Sequence, residues 1–155
     1  MRNADQWFLE YGESHRNPVN KALHWVCVPA IVFSLVGLLW SLPRPAVFAG
    51  LSPLLNWGTL FVAAAMVWYF VLSWPLALGM LVVSALVVWG NHALAQLATP
   101  LWQIALAIFV VAWIGQFIGH RIEGRKPSFF KDIQFLLIGP VWLLGFIYRK
   151  TGVRY

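Results

Sequence analysis

Four long apolar runs constrain this chain more than any other feature of its sequence. They cover residues 25–42, 54–72, 76–90 and 101–119, and proline or polar residues separate them. The chain is 61% hydrophobic and 10% charged, whereas globular domains contain about 25% charged residues. A soluble fold of 155 residues cannot bury that much apolar surface. We therefore expect an all-α integral membrane bundle, since helices satisfy their own backbone groups in lipid.

The distribution of Lys and Arg predicts four crossings with both termini in the cytoplasm. Basic residues gather in 16–21, 121–131 and 149–154, while the connection 91–100 has none. Four crossings place all three groups on one side, which the positive-inside rule makes the cytoplasmic side. A fifth crossing by the apolar stretch 133–148 would separate the last group from the others. We therefore expect this stretch, with Gly139-Pro140 in its middle, to be re-entrant or interfacial.

The chain is predicted to form a single membrane domain over residues 1–155, with residues 1–24 as a cytoplasmic or interfacial segment. Residues 1–14 mix aromatic and charged side chains, which is typical of a short interfacial helix. Residues 1–24 show neither the apolar core nor the cleavage site expected of a signal peptide. The membrane is either a bacterial inner membrane or that of the endoplasmic reticulum.

Several short patterns predict where helices begin, end and approach one another. Asn17 as N-cap with Pro18 at the first helical position is typical of a helix start. Gly124 favours a helix end. Gly115 and Gly119 have the G-x-x-x-G spacing that permits close packing of helices.

The net charge of +6 does not indicate a nucleic-acid partner. The basic residues lie in short clusters beside apolar segments, without the long basic stripe that duplex binding needs. Cys27 is alone, which excludes an internal disulfide and suggests a buried thiol. The expected partners are the lipid bilayer and a small substrate, and the sequence leaves the oligomeric state open.

Four histidines are candidate metal ligands: His15, His24, His92 and His120. Neutral imidazoles suit iron, zinc, copper or nickel, and ionisable groups at membrane depth usually mark functional sites. Their spacing matches no standard metal motif, so each is either a ligand or an ordinary interfacial residue. His120 and Glu123 are three residues apart and share one face if the helix continues.

The remaining polar residues of these clusters have competing interpretations. Arg121, Arg125 and Lys126 either bind a carboxylate or headgroup or only set the membrane topology. Glu123 either binds a metal, orients a ligating histidine or pairs with a neighbouring cation, and we rank the orienting role first.

Two motifs together carry a resemblance to a known family. They are Tyr11…His15-x-Asn17-Pro18-x-Asn20-x-x-x-His24 and Gln116-Phe117-x-Gly119-His120-x-x-x-Gly124-Arg125-Lys126-Pro127. They resemble motifs of the membrane-bound 2-hydroxy fatty acid dioxygenases, long catalogued as a domain of unknown function, whose characterised fungal members act in phytosphingosine breakdown. The resemblance covers nearly the whole chain. It implies an iron(II)-dependent α-oxidation, in which O₂ shortens a 2-hydroxy fatty acid by one carbon.

The resemblance also implies roles for individual residues. It implies iron ligands at His15, His24, His92 and His120. Within this interpretation we assign His120 and Glu123 as catalytic and Asn20, Arg125 and Lys126 as substrate-binding, with Arg125 or Lys126 balancing the carboxylate. His92 conflicts with this set, because fifteen residues of span 76–90 rise ~22 Å and separate it from His120. Either that span does not cross as drawn, or the 91–100 segment folds inward, or His92 is not a ligand.

Two other functions stay open at the level of sequence. One is a non-catalytic lipid-binding or small transport protein with a histidine-lined cavity. The other is a lipid hydroxylase or desaturase, although those enzymes usually carry denser H-x-x-H-H clusters than this sequence has. Stoichiometric metal would separate the first from the enzymes, and O₂-dependent shortening of 2-hydroxypalmitate would separate the two enzymes.

Overall fold

The computed structural model describes residues 3–124 and 135–155, and all regular structure within these ranges is helical. This confirms the predicted all-α membrane bundle. The helices are α1 Ala4–Gly12, α2 Pro18–Trp40, α3 Ala46–Leu51, α4 Trp57–Leu72, α5 Trp74–Leu94, α6 Leu101–Glu123 and α7 Ile138–Thr151. Arg125 and Lys126, both predicted to bind substrate, lie outside the described residues.

Within the described residues, three helices are long and apolar enough to cross a membrane. They are α2, α5 and α6, with mean hydropathies of 2.1, 1.7 and 2.0. The second predicted span, residues 54–72, corresponds to α4, whose 16 residues reach ~24 Å at ~1.5 Å per residue. That is short of the ~30 Å hydrocarbon core of a typical bilayer. The structure thus supports membrane association, while the number of crossings and the side of the termini stay predictions.

The start of α2 and the end of α6 lie where the sequence signals predicted them. The Asn17 side chain accepts hydrogen bonds from the backbone N–H groups of Val19 and Asn20, at 2.9 and 3.4 Å. Gly124 ends α6 with φ of 73°, a left-handed conformation that glycine adopts without steric cost. Both helices extend past the apolar runs, because helical hydrogen bonding continues through polar residues at a membrane surface.

The last apolar stretch differs from its prediction in one respect. Gly139-Pro140 was expected to break the stretch at its middle, but it lies in the first turn of α7. Proline is tolerated there because the first turn needs no N–H donor from it. Residues 133 and 134 lie outside the described ranges, and whether α7 is re-entrant, interfacial or spanning stays a prediction.

Helix α1 forms where a short N-terminal helix was predicted, and its apolar face packs on the bundle. Phe8 and Tyr11 are buried in the same hydrophobic cluster as Val141 and Trp142 of α7. A Cβ at Gly145 of α7 would lie 2.7 Å from the Phe8 ring, so glycine permits this close approach. The pairing holds the loop between α1 and the start of α2 against the bundle.

Helices α2 and α6 form the most extensive helix pair of the described fold. Gly115 of α6 faces the Cys27 thiol, and a Cβ there would lie 2.5 Å from its sulfur. Gly119 faces the Asn20 side chain, which leaves no room for a methyl group. This agrees with the close packing predicted from the G-x-x-x-G spacing, and it brings the start of α2 beside the end of α6.

Candidate metal centre

Three of the four histidines meet at one end of the bundle. His15 lies in the loop after α1, His24 on the second turn of α2, and His120 in the last turn of α6. One ligand nitrogen from each falls within a group whose members all lie within 4.8 Å of one another. All three side chains are buried, with exposed fractions of 3%, 1% and 6%. Burial of three imidazoles together requires compensating interactions.

Aromatic packing holds the His15 ring in place. Tyr11 stacks on it with ring centroids 4.2 Å apart and planes 13° from parallel. Trp142 of α7 packs against both rings, at 5.0 Å from Tyr11 and 5.4 Å from His15. The loop histidine is therefore fixed by α1 and α7 as well as by its own backbone.

Backbone carbonyls determine which nitrogen of His15 and His24 carries the proton. Nδ1 of His15 lies 2.6 Å from the Tyr11 carbonyl oxygen, and Nδ1 of His24 lies 2.9 Å from the Asn20 carbonyl oxygen. A carbonyl oxygen only accepts, so each Nδ1 is the N–H donor. Each Nε2 of the neutral imidazole is then an unprotonated lone pair.

These two Nε2 atoms lie 2.8 Å apart. Two acceptors at this distance repel unless a cation lies between or beside them. With metal–nitrogen bonds of ~2.1 Å, two ligands at right angles around one ion are ~3 Å apart. The donor set of the site thus fits a metal ion that prefers neutral imidazole.

Burial keeps His15 neutral. It lowers the pKa of His15 to about 4, and the nearby His120 adds to this shift, although the hydrogen bond to Tyr11 opposes it. The imidazole is therefore neutral near neutral pH, with Nε2 unprotonated, and this is the form that binds metals.

Glu123 ties the end of α6 to the loop that carries His15. Its carboxylate accepts hydrogen bonds from the backbone N–H groups of Arg16 and Asn17, at 2.8 and 2.9 Å. It also accepts one from the Asn20 side-chain amide at 3.0 Å. Both carboxylate oxygens are used in these bonds. The geometry favours the positioning role that we ranked first, although it acts through the backbone beside His15 instead of the imidazole.

Asn20 connects this network to His24. Its side-chain N–H₂ group donates to Glu123 and to the Ser14 carbonyl oxygen, and its backbone carbonyl accepts from His24. Its side chain is fully buried, and its Oδ1 has no hydrogen-bond partner among the described residues. The N–H₂ group is thus used in holding the α2–α6 junction, and the predicted substrate-binding role of Asn20 stays a prediction.

The structure does not bring His92 to the other three histidines. His92 is exposed near the end of α5, where its ring lies 6.2 Å from that of Trp40 at the end of α2. Trp40 follows His24 by sixteen residues on the same helix, which corresponds to ~24 Å. Helix α5 continues through His92 to Leu94 instead of folding inward. A shared ion is incompatible with this separation.

An apolar cleft adjoins the histidines. His24 and His120 form part of its wall. The rest of the wall is mainly hydrophobic and includes Val28, Ile31, Val32, Trp113, Phe135 and Leu136. Gln116, one helical turn before His120, supplies a further polar group. The sequence motifs contained Gln116 and Tyr11 but gave neither a role, since their position beside the cluster depends on how distant helices pack.

Comparison with known proteins identifies a family for the chain. The sequence model of the family described as "2-hydroxy-palmitic acid dioxygenase Mpo1-like" matches residues 1–151. A curated relative from Saccharomyces cerevisiae, named 2-hydroxy-palmitic acid dioxygenase MPO1, is 29% identical over 141 residues, which is 89% of this chain and 75% of the relative. No solved structure gives a significant match.

Proposed function

The chain belongs to the 2-hydroxy-palmitic acid dioxygenase Mpo1-like family, and we propose that it is an iron(II)-dependent membrane enzyme that shortens 2-hydroxy fatty acids by one carbon. The observation that carries this proposal is the pair of unprotonated Nε2 atoms, of His15 and His24, 2.8 Å apart in a buried cluster of three histidines. The family and the relative's name support a dioxygenase of 2-hydroxy fatty acids. The identity of the metal is the further step.

His15, His24 and His120 would hold the ion. Held there, iron(II) would supply the activation of O₂ that oxidation of a 2-hydroxy acid requires. The protein fixes two of the three rings through the Tyr11 and Asn20 carbonyls. Such outer partners orient ligands and raise their basicity.

The net reaction can be written so that atoms and electrons balance. R–CH(OH)–CO₂H and O₂ give R–CO₂H, CO₂ and H₂O. The bond between the carboxyl carbon and the hydroxylated carbon breaks, and the hydroxylated carbon becomes the new carboxyl group. The hydroxylated carbon and the carboxyl carbon together lose four electrons, which is the number needed to reduce one O₂ to the oxidation level of water.

The cleft beside the histidines suits the two ends of such a substrate. Its hydrophobic walls accept the acyl chain, and His24, His120 and Gln116 lie where the polar head would be. Arg125 and Lys126 follow α6 directly in sequence, and we assign to them the balancing of the substrate carboxylate.

The site is proposed to face the cytoplasm. The cluster lies where α2 begins and α6 ends, and the sequence segments next to both points contain Arg16, Lys21 and Arg121. Positive charge beside spans marks the cytoplasmic side. A 2-hydroxy fatty acid resident in that leaflet would reach the site without leaving the membrane.

Metal analysis and an oxygen-dependent assay test this proposal. We expect near-stoichiometric iron in protein purified anaerobically with Fe(II), and O₂-dependent conversion of 2-hydroxypalmitate to the C15 acid. His24→Ala and His120→Ala should each lose the iron and the activity. His92→Ala is the matched control, because its imidazole lies far from the cluster, and it should keep both.

Two results would contradict the proposal. A wild-type protein that binds no metal under these conditions would favour a lipid-binding protein with a histidine-lined cavity. Loss of iron in His92→Ala, with iron retained in His24→Ala, would place the metal elsewhere in the molecule.

A further inference from the structure

Gln116 is a polar side chain of the cleft that the proposed metal centre does not use. It lies on the buried side of α6, with an exposed fraction of 5%, and lines the cleft together with His24 and His120. Those two histidines are proposed ligands. Tyr11, the other polar residue of the described wall, stacks on the ring of His15. Gln116 has neither of these tasks.

The side-chain amide of Gln116 forms no hydrogen bond with another described residue. The buried amides of Asn20 and Asn91 are different, because each donates two hydrogen bonds to neighbouring groups of the bundle. Buried polar groups nearly always have a partner, and a buried amide without one destabilises the fold. Gln116 is therefore suited to a ligand in the cleft and not to holding helices together.

The position of Gln116 places its amide beside the proposed metal centre. Gln116 and His120 are four residues apart on α6, so they share one face with Cβ atoms ~5–6 Å apart. A hydrogen bond joins heavy atoms ~2.9 Å apart. A small group lying between the two side chains can therefore contact both of them.

The size of the cleft limits what that group can be. The cleft has a volume of about 40 Å³, and one water-sized group needs ~10–15 Å³. The space thus takes about three such groups, which corresponds to a small polar head.

The chemistry of the amide matches a hydroxyl group. An amide both donates and accepts, and so does a hydroxyl group, so either orientation of the Gln116 amide can serve. A carboxylate only accepts, and its charge calls for a cation. The described wall of the cleft contains neither Lys nor Arg. Of the two polar groups of a 2-hydroxy acid, the hydroxyl group is therefore the better partner for Gln116.

We propose that the Gln116 amide binds the 2-hydroxyl group of the substrate and so selects 2-hydroxylated acids over fatty acids that lack this group. The proposal rests on the function proposed above, which supplies a 2-hydroxy acid with its head at the histidines. An acid without the hydroxyl group would leave the amide buried and unpaired. A site built to hydrogen-bond a hydroxyl group rejects the analogue that lacks it for this reason.

The test compares the binding of 2-hydroxypalmitate and palmitate to iron-loaded protein in detergent. Without O₂ neither acid is consumed, so affinity is measured apart from turnover. Wild type should bind 2-hydroxypalmitate at least about tenfold more tightly than palmitate. Gln116→Leu removes the amide at similar volume. It should bind 2-hydroxypalmitate about tenfold more weakly than wild type and palmitate at least as tightly.

The matched control is Gln103→Leu. Gln103 lies on the same helix but is exposed, so its preference for 2-hydroxypalmitate should equal that of wild type. Iron content is the second readout, because Gln116 is not among the proposed ligands. Gln116→Leu should therefore keep its iron.

Three results would overturn the inference. They are equal affinity of wild type for the two acids, an unchanged preference in Gln116→Leu, and loss of iron from that variant. The last would show that Gln116 acts on the metal centre and not on the substrate. A wild type that prefers 2-hydroxypalmitate but shortens it in no assay would contradict the proposed reaction, while the binding series still decides the role of Gln116.

A second variant keeps the test open if Gln116→Leu does not fold. Gln116→Met has an unbranched side chain of similar length that adapts to irregular space, and it should lose the preference in the same way. An unchanged preference in Gln116→Met overturns the inference. Failure of both variants to fold would assign Gln116 a structural role and overturn it as well.

Discussion

At the scale of single residues, Glu123 shows how one carboxylate stabilises a metal centre without touching it. Its two oxygens accept hydrogen bonds from two backbone N–H groups of the α1–α2 loop and from the Asn20 amide. His15 precedes the first of those donors directly in sequence. The position of the imidazole thus depends on a residue more than a hundred positions away.

We predict that Glu123→Gln weakens metal binding while the protein stays folded. The amide has one oxygen, and its N–H₂ group would face a donor, so at least one hydrogen bond is lost. The expected cost is about 1 to 2 kcal/mol of stability, since the carboxylate is partly exposed, and about 10- to 100-fold in metal affinity. Metal titration at a temperature where both proteins are folded measures the effect.

The matched control for this prediction is Glu13→Gln. It removes the same charge near the same loop, but Glu13 is exposed. Its metal affinity should equal that of wild type. Equal losses in the two variants would show that net charge, and not the hydrogen bonds of Glu123, governs affinity.

At the scale of helices, the pairing of α2 and α6 positions two of the three ligands. Gly119 precedes His120 and lies against Asn20, whose amide is held by Ser14 and Glu123. Because Asn20 is fixed on both sides, it cannot move away from a larger neighbour. The G-x-x-x-G spacing predicted this contact, but the choice of α2 as the partner helix was visible only in the structure.

We predict that Gly119→Ala separates α2 from α6 and lowers stability by about 1 to 3 kcal/mol through overpacking. The Tm should fall by about 5 °C, and iron content should fall with it. Gly50→Ala is the control, because Gly50 lies in helix α3 with open space where the methyl group would be. Its Tm should be unchanged or slightly higher, since Ala favours helix formation. A Gly119→Ala protein as stable as wild type would contradict the close packing.

At the scale of the whole molecule, a bound ion would join three separate elements, namely the α1–α2 loop, α2 and α6. Such an ion binds the folded chain and not the unfolded one, so it must stabilise the fold. Stabilisation by the ion would also extend to α7, because Trp142 of α7 packs against the His15 ring.

We predict that saturating Fe(II), added anaerobically, raises the Tm of the chelator-treated protein. At a concentration 100-fold above Kd the gain is about 2.7 kcal/mol. His120→Ala should abolish the difference, and His92→Ala should preserve it. Thermal unfolding in detergent with and without metal measures both, and an equal shift in His120→Ala would indicate binding outside the cluster.

The sequence by itself determined the local properties of this protein. Hydropathy predicted a helical membrane bundle, Asn17-Pro18 predicted the start of α2, and Gly124 predicted the end of α6. Each of these depends on interactions within a few residues, so each can be inferred without knowing the fold. The family resemblance added the expected chemistry and named the histidines.

Only the tertiary structure decided which histidines meet. The distances among His15, His24 and His120 depend on how α2 packs against α6 and on how α1 packs against α7. His120 follows His24 by 96 residues and His15 by 105, so local pattern leaves these contacts undetermined. His92 shows the converse, because the continuous length of α5 holds it at the far end of the bundle. Motif and periodicity can name candidate ligands, but a metal site requires distances of a few ångströms that only packing sets.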